Sequence, residues 1–153
     1  MTAIAAHVGT TLYAGFWRRF IAYIIDCVVL YVAVGLVIGA TYAMVGGPVT
    51  EDGGIRPVFL LLYALFLIGF WLYFTLMESG EGQATLGKRA LSIVVTDDAG
   101  RRIGFGRANG RFFSKCLLTA LVPFGIGFML AGWTAKKQAL HDMIAGTLVI
   151  RAL

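Results

Sequence analysis

Arg19 and Asp26 lie seven residues apart inside one apolar stretch, "FWRRFIAYIIDCVVLYVAVG". At about 100° per residue they share nearly one face of a helix, about 10 Å apart along its axis, too far for easy direct contact. A carboxylate kept at membrane depth has two uses. It binds a cation or a proton while facing a bundle interior, or it accepts hydrogen bonds from a hydroxyl or backbone group of a neighbouring helix, with Tyr23, Tyr31 and Tyr63 as the donors in reach of such a face. Burial raises a carboxylate's pKa and a nearby arginine lowers it, so titration near neutral pH needs the guanidinium held away. The other polar candidates are Arg18, the segment 82–89, and His141 with Asp142 in "LHD".

Other apparent motifs fall away. "GQATLGKR" at 82–89 matches most of a phosphate-cradling pattern, but Arg89 stands where Ser or Thr would hold magnesium, and a membrane helix precedes it where a strand is required. Cys27 and Cys116 read as packed thiols rather than a disulfide. With His7 and His141 as the two histidines and no Cys/His cluster, no metal site and no cofactor are expected. There is no Ser/His/Asp arrangement or paired-carboxylate site, so no enzyme is expected, and no face suits nucleic acid.

The elements that position these residues are membrane helices. Apolar residues make up 59% of the chain and charged ones 14%, against about 25% charged in a soluble domain, and the mean hydropathy is +0.82. With 153 residues, one small membrane domain fills the chain and an enzyme with a soluble catalytic lobe is excluded. Spans are expected at about 18–45 and 58–77. The first is too long an apolar core for a cleavable signal peptide and reads as an uncleaved helix. A third apolar segment, 116–135, is broken by Pro123, Gly125 and Gly127. It either spans or dips in and returns as two half-helices, a course tolerated when protein or water shields its backbone.

Of 13 Lys and Arg, Arg56 alone lies between the first two spans. The positive-inside bias then expects a cytoplasmic N-terminus, a cytoplasmic segment 78–115 and, if 116–135 returns, a cytoplasmic tail 136–153. Within 78–115, Arg107, Arg111 and Lys115 recur at i, i+4 spacing, which reads as an interfacial amphipathic helix whose basic stripe meets anionic lipid head groups. "LSIVVTDDAGRRIGF" reads as a β-hairpin and "GTLVIRAL" as a further strand. Together they suggest a three-stranded sheet of 91–96, 101–105 and 146–151. Gly35 and Gly39 form a small-x-x-x-small face suited to another helix.

"AGFWRRFIAYIID", "GQATLGKRALSIVVTDDAG", "GRANGRFF" and "KKQALHDMIAGTLVIR" occur in that order, and the sequence resembles the RDD family of small bacterial inner-membrane proteins from about residue 14 to 151. The resemblance carries the family arginine onto Arg19 and the two aspartates onto Asp26 and Asp142. It implies a transport role, with cation/proton antiport among some members. A C-terminal segment that returns would bring Asp142 to Arg19, lock that segment to the first helix and leave Asp26 as the proton or cation site, with Arg19, Asp26, His141 and Asp142 as the candidate set. Two functions follow as expectations. One is a monovalent cation/proton exchanger or small-solute carrier, oligomeric because two spans and a dip hardly enclose a pathway. The other is a non-catalytic accessory subunit or lipid-binding component of a larger membrane complex.

Overall fold

The computed structural model describes residues 13–121, 131–134 and 136–152. Helix α1 runs Phe16–Val45 and α2 runs Pro57–Ser79. At 30 and 23 residues they extend about 45 and 35 Å, and both are long and apolar enough to cross a bilayer. Gly15 caps the start of α1 in extended conformation, and the glycine-rich loop after Val45 ends it. Pro57 at the first position of α2 supplies a fixed φ where no amide is needed.

A short helix α3, Leu86–Ala90, leads into strand β1, Ile93–Asp97. Helix α4 is Phe105–Leu121, α5 is Leu140–Ala145, and strand β2 is Thr147–Arg151. β1 and β2 pair antiparallel with Val95 opposite Val149. Tyr13 bridges Ile150, and the Ala14 amide donates to the Val149 carbonyl at 2.9 Å. Both ends of the described chain therefore meet at the N-terminal end of α1. A small core of Ala14, Ala22, Ile93, Val95, Ile103, Ala108 and Val149 lies beneath this sheet.

One expectation changes. The sheet has two strands: 101–105 contributes an isolated bridge, Thr96 to Arg102. The physical reason lies in the turn. Asp97 Oδ1 accepts the amides of Ala99 and Arg101 at 2.9 and 2.8 Å, Gly100 takes φ +76°, and α4 begins at Phe105 before a strand can extend. β1 finds its partner in the chain's last strand instead. The choice between a spanning and a re-entrant course for 116–135 turns on 122–130, which lie outside the described residues.

Candidate functional site

Every buried residue of α1 lies in its first eleven positions, Arg19, Ala22 and Asp26, and every buried residue of α2 lies near its end, Phe74, Thr75 and Glu78. These two ends, with α3, α4 and α5, enclose the polar residues. We call this the basic end, since of the 13 Lys and Arg only Arg56 lies in the loop between α1 and α2.

Asp26 is held by three donors. Tyr73 Oη donates to Oδ1 at 2.7 Å, the Gly87 amide to Oδ1 at 2.7 Å, and Thr85 Oγ1 to Oδ2 at 2.5 Å. Tyr73 Oη in turn accepts the Leu86 amide at 3.1 Å. This geometry depends on a missing side chain: a Cβ on Gly87 would stand 2.0 Å from the Ala22 carbonyl oxygen. Only glycine lets the first turn of α3 lie directly on the α1 backbone, and Ala22, fully buried, keeps its side of the contact small. Of the two uses open to Asp26, cation or proton binding and acceptance from hydroxyl or backbone donors, such donors are present, and they come from Tyr73, Thr85 and Gly87 rather than from Tyr23, Tyr31 or Tyr63. The phosphate-loop lookalike at 82–89 is the segment that clasps this carboxylate.

Arg19 and Asp142 form a buried ion pair, the contact expected of a returning C-terminal segment. Arg19 employs its whole guanidinium, with Nε donating to the Ala14 carbonyl at 2.9 Å and Nη2 to the Lys137 carbonyl at 2.5 Å. It staples the N-terminal stretch, the turn before α5, and α5 itself. Asp142 Oδ2 also accepts the Ala139 amide at 3.1 Å, an N-terminal cap for α5. Its Oδ1 lies 3.1 Å from Arg111 Nη2 and 3.3 Å from His141 Nε2. Arg111 then reaches Glu78, with Nε 3.5 Å from Oε2, and Lys88 Nζ donates to Glu78 Oε1 at 2.5 Å. One chain of charges thus joins α1, α5, α4, α2 and α3.

The electrostatics follow from burial and pairing. Burial pushes the Asp142 carboxyl upward, but Arg111 and Arg19 outweigh it and hold it well below the usual carboxylate range. Burial pushes His141 down to about 3 despite Asp142, with Arg111, Lys115 and Arg19 opposing a further positive charge. His141 is therefore neutral at physiological pH. Burial lowers Lys88 to about 8 against the pull of Glu78. Lys115 is lowered to about 8 by burial and by neighbouring Lys88.

A cavity of about 30 Å³ lies among these groups, lined by Arg19, Tyr23, Asp26, Phe74, Glu78, Lys88, Arg111, Phe112, Lys115 and His141. That volume suits one or two water-sized particles. Of the expected set, Arg19, Asp26 and His141 line it, and Asp142 stands behind Arg19 and Arg111. Among the described residues no group of three or more His, Cys, Asp or Glu is arranged to hold a metal ion.

The expected lipid-facing stripe is corrected. Arg111 is buried in ion pairs with Glu78 and Asp142. Lys115 Nζ sits 3.9 Å over the Tyr23 ring centroid and 5.0 Å from that of Phe74. Arg107 alone is well exposed, 3.7 Å from Asp97. Helix α4 turns Arg111 and Lys115 inward, Arg111 meeting the distant carboxylates Glu78 and Asp142, and it presents Phe105, Phe113 and Leu117 outward. Tyr73, Glu78, Thr85, Gly87 and Lys88 were not foreseen individually. A carboxylate at the end of the second span and a polar segment following it were the available signals, but their pairing depends on how the chain folds back.

The sequence pattern of the RDD family matches residues 13–146. Among curated relatives, the uncharacterized protein YxaI of Bacillus subtilis is 31% identical over 90% of this chain and 96% of its own length. The uncharacterized membrane protein YteJ of the same organism is 26% identical over 95% of this chain and 85% of its own. A protein of Rickettsia prowazekii, RP437, is 33% identical over 61% of this chain and 46% of its own. No solved structure gives a significant match.

Proposed function

The chain belongs to the RDD family, and from that premise we propose that it is a multi-pass protein of the bacterial inner membrane that moves a small solute by way of the polar cavity at its basic end, acting as a homo-oligomer. The observation that carries this reading is the cavity itself, bounded by charged side chains of α1, α2, α3 and α4 and set at the end of two membrane-length helices. Polar groups at such depth mark substrate or ion pathways by default. The small-solute form is preferred to cation/proton exchange at Asp26. Three donors already occupy that carboxylate, and four cationic side chains line the cavity against two carboxylates.

The basic end faces the cytoplasm by the positive-inside bias. A cytoplasmic C-terminus, and with it a re-entrant course for 116–135, is supported by the pairing of β2 with β1 and with Tyr13. The oligomer is supported by the sparse enclosure that two helices provide. An accessory or lipid-binding role is the second reading, favoured by the outward Phe105, Phe113 and Leu117 of α4 and by open space around Gly35 and Gly39.

Proteoliposome swelling in isosmotic small neutral, cationic and anionic solutes tests the proposal. Selective swelling with wild-type protein is expected, reduced by altering cavity residues. Proton movement driven by a monovalent cation gradient and abolished by Asp26→Asn would replace the small-solute form with the exchanger. Well-folded protein inactive in every arm would leave the accessory role.

A further inference from the structure

The start of α1 gathers exposed aromatic and basic side chains at one place. Phe16 stacks on Phe20 and meets Trp17 edge-on, with ring centroids 5.7 and 5.2 Å apart, yet Trp17 is 70% exposed and Phe20 is open as well. Trp133 is 79% exposed, and its neighbour Gly132 lies against Phe16, where a Cβ would stand 3.9 Å from the Phe16 Cβ. Arg18 is exposed in the same first turn. Lys137 lies across Gly15, its Nζ and Cδ each 3.9 Å from the position of a Cβ there. Gly15 is the N-cap and Arg18 the third residue of the helix, positions that face one another at a helix start. The Lys137 backbone is fixed: its amide donates to the Thr134 carbonyl at 2.9 Å, its carbonyl accepts from Arg19 Nη2 at 2.5 Å, and it takes φ +47°, uncommon for a residue with a side chain.

Carboxylates on the neighbouring elements are engaged by other cations. Asp142 pairs with Arg19 and Arg111, Asp97 with Arg101 and Arg107, and Asp98 lies 4.0 Å from Lys136. Among the described residues neither Arg18 nor Lys137 takes part in an ion pair. We propose that an anionic phospholipid docks at the start of α1, its phosphate between Arg18 and Lys137 and its acyl chains along Trp17, Phe20 and Trp133. Charge complementarity selects the head group, since guanidinium and ammonium groups both donate to phosphate oxygens. The aromatic residues set the depth: tryptophans at the end of a membrane-length helix sit at head-group level. The inference is independent of the small-solute reading, and it places the lipid contact on a different face from the stripe of α4. The lipid would bridge the two segments that Arg19 joins from inside, the start of α1 and the turn before α5, and so reinforce their closure.

The test is thermal denaturation of the full chain in a neutral detergent, titrated with phosphatidylglycerol against phosphatidylcholine. A saturable rise in Tm with phosphatidylglycerol is expected, and little change with phosphatidylcholine. Arg18→Gln and Lys137→Gln should each keep the wild-type Tm in detergent alone. Arg18 is exposed, and Gln83 shows that glutamine adopts the φ of Lys137 in this chain. Each variant should weaken the apparent phosphatidylglycerol affinity about fivefold, the effect of losing one basic contact at an anionic surface, and the two together about twentyfold. Lys136→Gln, whose side chain already faces Asp98, should leave the affinity unchanged. Equal responses to the two lipids would overturn the proposal, as would an unchanged response in the double variant or an equal loss in Lys136→Gln. So would an equal rise with glycerol 3-phosphate, which offers the phosphate without acyl chains. A lipid-independent oligomer, seen by light scattering and abolished in the double variant, would also overturn it and assign the surface to a second copy.

Discussion

The two ends of the same two helices are built on opposite principles. At the basic end, Arg19, Asp26 and Glu78 are buried and bonded, and Ala22 meets Gly87 backbone to backbone. From Cys27 to Val45 nothing in α1 is buried, and Leu60, Leu61, Leu65 and Leu67 of α2 are exposed on the single chain. Water-soluble domains do the reverse, burying the apolar residues and exposing the charged ones. The difference follows from the solvent. Acyl chains are as apolar as leucine, so leucine faces gain little from packing against protein inside the bilayer, and polar bonds and close backbone approach supply the specificity. The helices are thus tethered where their charges are, and the far end is apolar and exposed among the described residues.

If the basic end holds the fold, its central ion pair should give the largest loss. Arg19→Ala and Asp142→Ala are each expected to lose about 3–5 kcal/mol of stability in detergent, because each leaves a buried charge unpaired. The double variant should lose clearly less than the sum of the two. Additive losses in denaturant titrations would mean that the pair is not a unit, and the contrast between the ends would weaken.

Acid should attack the same end. His141 has a folded pKa near 3 against about 6.5 unfolded, so between those values the unfolded chain binds the extra proton and stability falls as pH falls. Asp142, held low, adds the same sign at the acid edge of that window. The decline should approach about 1.4 kcal/mol per pH unit below 6.5. Tm measured from pH 7 to 4 checks this, and His141→Gln should flatten the upper part of the slope. A slope that persists unchanged in His141→Gln would place the acid-sensitive group elsewhere.

Glycines sharpen the comparison residue by residue. Gly87→Ala drives a Cβ into the Ala22 carbonyl and disturbs the amide bond to Asp26, an overpacking loss of about 1–3 kcal/mol. Gly35→Ala and Gly39→Ala meet open space in the interior of α1 and should stabilise the single chain by about 0.5–1 kcal/mol through helix propensity. A marked loss from either, read together with a change in mass by light scattering, would show that the far end is held by another helix after all.

Hydropathy and charge placement were enough to locate both spans to within two residues, because each is a sum over neighbouring positions that no distant contact can alter. The resemblance carried by the arginine and two aspartates identified the ion pair, and "VTDDAG" marked the turn after β1. The hairpin failed because two adjacent segments with strand character do not say whether the second has room to pair before a helix begins. The basic stripe of α4 failed for a related reason: i, i+4 spacing fixes which residues share a face, but which way that face turns depends on carboxylates elsewhere.

What the sequence determined by itself was local: two apolar helices, their basic flanks, and a costly Asp26 that had to be compensated. Only the tertiary structure decided how. Arg19 meets Asp142 across a separation of 123 residues, and Asp26 meets Gly87 across 61. Such partners are chosen by the path of the chain through three dimensions. A buried charge must be satisfied, but linear order cannot say which of several polar groups will arrive.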